Sequence, residues 1–83
     1  MNNELTFGNV RYVIKHHVNG KGEETSSYHI YRVDGGEIEN QTALCRQILI
    51  AYGENPNVIN AIVGNLTLAG LVYKKINNIP LDL

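Results

Sequence analysis

Gln41 to Leu83 constrains the fold more than any other stretch, because most of the large aliphatic residues fall within it. Leu44, Cys45, Ile48, Leu49, Ala51 and Tyr52 recur at helical spacing and make a broad apolar stripe, with Arg46 and Gln47 left for solvent. Asn40 precedes that run as an N-cap and Gly53 follows it as a C-terminal stop, which predicts a helix over residues 41–52. Asn55-Pro56 then restarts the pattern, since proline at the first helical position loses no intrahelical bond. The second helix is expected over 56–69, with Ile59, Ile62, Val63, Leu66 and Ala69 on one side and Gly70 ending it. Leu71–Ile76 and Ile79–Leu83 flank Asn77-Asn78, which reads as a C-terminal hairpin with Pro80 confining the last strand to an edge.

Ahead of this stretch the period changes from 3.6 to 2. Glu4–Phe7 ends at Gly8-Asn9, a pair that tolerates the positive φ of a tight hairpin turn. In Val10–Val18, Val10, Tyr12, Ile14 and Val18 share one face, while Arg11, Lys15 and His17 share the other. Asn19 to Gly22 is turn chemistry, and Thr25–Val33 is a second β-rich run. Placing Ile14 opposite Tyr28 and Tyr12 opposite Ile30 matches the apolar faces. The expectation is an α+β fold: an antiparallel β-meander, two helices and a short hairpin.

At 83 residues there is room for a single domain, 1–83. A formal charge of −1 and a pI near 6.3 lack the electrostatic footprint of a dedicated nucleic-acid binder. Met1 to Glu4 carries no basic region leading into an apolar run, and no stretch approaches membrane-spanning length. The cytoplasm is therefore the expected location, with no membrane partner.

Chemistry is sparse. His16 and His17 are strand neighbours and point to opposite faces, so they cannot chelate one ion together, and no metal site is expected. Ser26 and Ser27 lie near His29 without an acid implied by spacing, and Cys45 falls on the apolar side of a helix. Gly20-Lys21-Gly22 and Gly35-Gly36 do not lead from a strand into a helix at phosphate-loop spacing. The reading is non-catalytic, without a cofactor.

The helix, the turn containing Gly53, the helix with Ile59 and Ile62, and Ala69-Gly70-Leu71-Val72 running into a hairpin resemble the second half of a winged helix-turn-helix domain over residues 42–76. The resemblance implies a recognition helix with Asn57, Asn60 and Asn65 as readers of bases, and Lys74 and Lys75 as phosphate contacts. That helix holds no Lys or Arg, which places a DNA-binding regulator second.

The preferred reading uses the polar face of the meander, where Arg11, Lys15, His17, His29 and Tyr31 are expected to cluster opposite an acidic loop, Asp34 to Glu39. Such segregation of charge suits a docking surface. The small residues Ala61 and Gly64 suit close approach of a partner helix or ordinary packing against the sheet. A homodimer is also open. The expected function is a small binding protein that occupies a surface of a larger protein or protein–nucleic acid complex. Inhibitors and regulators encoded by phages and mobile elements, anti-CRISPR proteins among them, have this size.

Overall fold

The computed structural model describes residues 2–62 and 68–81. Strands β1 (Glu4–Phe7), β2 (Val10–Val18) and β3 (Glu24–Arg32) form one antiparallel sheet in the order β1-β2-β3. Helices α1 (Gln41–Ala51), α2 (Pro56–Ile62) and α3 (Leu68–Ile76) follow. The protein is α+β, as the change of period implied.

Local chemistry sets the turns and caps. Gly8 and Asn9 both take positive φ, 58° and 65°, and close a two-residue turn between the paired Phe7 and Val10. The Asn40 side chain accepts from the Ala43 amide at 2.9 Å, and Asn55 accepts from Asn57 at 2.8 Å, so asparagines cap α1 and α2. At the end of α1, Gly53 at φ 97° donates to the Ile50 carbonyl and Glu54 donates to Leu49, the 5→2 and 6→1 bonds of a Schellman motif.

The largest departure from expectation is α3, which occupies residues read as a strand. Leu68, Leu71 and Val72 are buried and Ile76 packs beside them, a helical spacing that puts one stripe against the core. Lys74 and Lys75 lie in its last turn, where cations suit the carbonyl end. Gly70 sits inside this helix and ends nothing. Asn77-Asn78 is a helix cap in place of a hairpin turn: Asn78 takes φ 56° and donates to Lys75, and Ile79 donates to Lys74 at 2.9 Å. The motif repeats that of α1, with asparagine in glycine's place. Of the expected helix 56–69, Pro56–Ile62 is α2 and Leu68 and Ala69 belong to α3, while residues 63–67 lie outside the described residues.

The core forms between one sheet face and the helices. Leu5, Tyr12, Ile14 and Ile30 meet Cys45, Ile48 and Leu49 of α1, Ile59 of α2, and Leu68, Ala69, Leu71 and Val72 of α3. Val10 and Leu44 pack partly buried at its margin. The side chain of Ile62, and Val63 and Leu66, lie outside the described residues. Ile14 pairs with Ile30 and Tyr12 with Arg32, two residues away from the expected register. A two-residue slip preserves side-chain parity, so the faces were sorted correctly on a wrong register. An irregularity between His16 and Val18 then gives β3 two extra residues, and Val18 ends 46% exposed instead of buried. Ala51 and Tyr52, expected on the α1 stripe, are exposed.

Two side-chain carboxamides fasten the layers. The Gln41 amide accepts from the Ile30 N–H at 3.0 Å and donates to the Ile30 carbonyl at 2.7 Å. Asn77 does the same for Asn2, accepting at 2.8 Å and donating at 2.6 Å. Each amide satisfies one backbone residue as a neighbouring strand would.

Candidate interaction face

The helices cover the sheet face that carries Tyr12, Ile14 and Ile30. Alternation therefore sends Arg11, Val13, Lys15, His17, His29 and Tyr31 to the other face. Register brings four of the five expected site residues into one row. Lys15 lies directly opposite His29, and its ammonium sits over the Tyr31 ring, 5.0 Å from the centroid. Tyr31 meets the His29 ring edge to face at 6.3 Å. His29 and His17 approach with their Nδ1 atoms 2.6 Å apart. Arg11 stands apart, separated from Lys15 by Val13 and paired loosely with Glu4 at 3.5 Å, both side chains well exposed.

The strand irregularity builds the histidine contact. The Thr25 hydroxyl donates to the His17 carbonyl at 2.9 Å and lies 3.0 Å from the Ser27 hydroxyl, which holds the extra residues of β3 in place. At 2.6 Å one Nδ1 must donate and the other accept, so the pair in this geometry cannot carry a proton on both Nδ1 atoms. Burial, and then the charge of His17, hold the His29 pKa below its ordinary value.

An unfolded His29 takes up its proton at higher pH than the folded one, so its contribution to stability is complete above about pH 6.5 and is lost as pH falls through the lowered folded value. With EDTA present, the His29 ring is expected to titrate below 6.5 by NMR, and to titrate higher in His17→Ala. A midpoint that ignores His17 would show that the contact does not govern the proton.

The acidic loop is partly neutralised. Arg32 grips Asp34 through two bonds, 3.0 and 2.7 Å, and the Gly36 amide adds a third at 2.8 Å. The Arg32 bond, then that of Gly36, holds the Asp34 carboxyl below its usual range. Glu37 and Glu39 remain exposed.

Of the residues assigned to DNA reading, Asn57 and Asn60 lie on α2 and Lys74 and Lys75 on α3. Asn60 accepts from the Arg46 guanidinium at 2.7 Å, and Lys75 pairs with Glu54 at 2.6 Å, tying α3 to the turn after α1. Asn57 and Lys74 sit on different helices, and Asn65 lies outside the described residues. Cys45 is fully buried, and desolvation pushes its thiol up to about 11, the behaviour of a core residue.

One feature escaped the sequence reading. His16 shares the inner face with Tyr12 and Ile14, stacks on Tyr28 at 4.4 Å, and Tyr28 stacks on Tyr73 of α3 at 5.7 Å. His16 Nδ1 is buried without a hydrogen-bond partner among the described residues. A groove of about 430 Å3 opens beside this column, reaching Asn3, Lys15 and Glu24. The parity of His16 was available in the sequence; the contact with Tyr73 needed α3.

No protein-family model, curated protein or solved structure matches the chain. Among the described residues no helix is long and apolar enough to cross a membrane.

Proposed function

We propose that this protein is a small non-catalytic binding protein whose outer sheet face docks on an acidic surface of a larger protein partner, in the manner of an inhibitor or regulator. The observation that carries the reading is the continuous row Lys15–Tyr31–His29–His17 on the face opposite the helices. Tyr31 is the anchor, because it is half-buried at the centre of the row and tyrosine is enriched among residues that dominate binding energy. Lys15 supplies charge already oriented by the ring. Arg11, at the margin and loosely paired, contributes to steering more than to affinity.

The test is capture from the native host with wild type, Tyr31→Ala, Lys15→Glu, Arg11→Glu and Glu37→Lys, each first shown to be folded by circular dichroism. The partner retained by wild type and Glu37→Lys is expected to be lost from Tyr31→Ala, with affinity reduced by about thirtyfold or more. Lys15→Glu and Arg11→Glu are expected to slow association, an effect that shrinks in high salt. A partner lost only from Glu37→Lys would move the site to the acidic loop. Capture of duplex DNA that depends on Asn57 and Lys74 would replace this reading altogether.

A further inference from the structure

The histidine pair on the outer face has the geometry of two metal ligands. We propose that His17 and His29 bind one divalent first-row transition ion, of the zinc and copper class, through their Nδ1 atoms.

The two Nδ1 atoms converge to 2.6 Å from adjacent strands, and the ring planes are inclined at 82°. The centroids, 4.1 Å apart, are closer than an end-to-end meeting of two rings would place them, so the rings converge at an angle, as neighbouring ligands of one ion do. Metal–nitrogen bonds of about 2.0–2.1 Å place the nitrogens roughly 2.9 Å apart at a right angle and roughly 3.3 Å apart at a tetrahedral one, a separation of about 0.3–0.7 Å from the present contact. His17 sits at the strand irregularity, and Tyr31 braces the His29 ring, so the adjustment falls on the side chain of His17. The ion replaces the shared hydrogen. When both imidazoles are neutral that hydrogen moves to Nε2 and no proton is released; when the pair is protonated, one proton leaves.

Imidazole suits zinc, copper and nickel, and copper is the tightest of the series. Among the described residues no third His, Cys, Asp or Glu joins the pair, so the remaining positions stay open to water or to a donor from a bound molecule. Lys15, opposite His29, works against a cation, although its ammonium is engaged with the Tyr31 face. The site therefore belongs to the moderate-affinity class, and removing Lys15 should tighten it. Both ligands belong to this chain, so the ion binds with or without a docking partner.

The experiment is a titration of the chelator-stripped protein with ZnSO4 and separately with CuCl2 at about pH 7.5, where imidazole is largely neutral. One ion per chain is expected, copper more tightly than zinc. Affinity should fall about tenfold or more in His17→Ala and in His29→Ala, and rise severalfold in Lys15→Ala. Copper EPR should show coupling to two nitrogens. A readout on the unaltered chain guards against variants that fail to fold: zinc should shift the ring signals of His17 and His29 together and leave those of His16 in place. No shift up to about 1 mM zinc, a shift of His16 instead, or coupling to a single nitrogen would overturn the assignment.

Discussion

Ile48→Ala is expected to lower the unfolding free energy by about 2–5 kcal/mol, read as a shift of the urea midpoint at unchanged slope. Ile48 is fully buried at the junction of α1 with the sheet and α3. Truncation removes apolar contact and leaves a cavity between three elements that cannot all close on it. A domain holds only roughly 0.05–0.15 kcal/mol of net stability per residue, so a loss of this size is a large fraction of the whole. The variant is therefore expected to stay folded only at low urea. Ile50→Ala, two residues further along the same helix, should change little, because Ile50 is 48% exposed. Equal effects from the two would mean that α1 presents a different face.

Gln41→Ala should cost about 1–3 kcal/mol and, at higher protein concentration, promote self-association. The Gln41 amide covers the Ile30 N–H and carbonyl on the outer edge of β3. Without it that edge offers an unpaired donor and acceptor to another chain. Gln41→Glu separates the two bonds, since a carboxylate can accept from the amide but meets the carbonyl oxygen with like charge. The substitution is expected to fall at least as far as alanine in stability. Hydrogen exchange at the Ile30 amide should accelerate in Gln41→Ala and less so in Gln41→Glu. Unchanged exchange in both would show that the clamp does not protect the edge.

What the sequence discloses here is local chemistry. Asn40, Asn55-Pro56 and Gly53 marked helix ends because capping depends on residues within one turn of each other. Gly8-Asn9 marked its hairpin for the same reason. Parity sorted Lys15, His17, His29 and Tyr31 onto one face even on a register that was two residues out. The miss at α3 arose because asparagine with positive φ serves a hairpin turn and a Schellman cap equally well, so Asn77-Asn78 could not distinguish them. The β-rich look of Leu71-Val72-Tyr73 added weight to the wrong alternative. The Nδ1 contact of His17 with His29 depends on an irregularity in β3, and the Gln41 and Asn77 clamps join residues distant in the chain. No pattern within a short window encodes such partners.

The Asn77 clamp bears on the order in which the molecule assembles and comes apart. It ties Asn2 to the cap of α3 across a separation of 75 residues, whereas each strand of the meander pairs with its immediate successor. Loop closure makes the distant contact the most expensive to form, so it completes late and yields early. Its release leaves β1, four residues long, held by its pairing with β2 and by Leu5 in the core. A strand so short can peel away while the β2–β3 pair and the helices stay in place, and the bared side of β2 would then accept the β1 of a second molecule. Strand exchange at this end would entangle two copies of an otherwise intact chain.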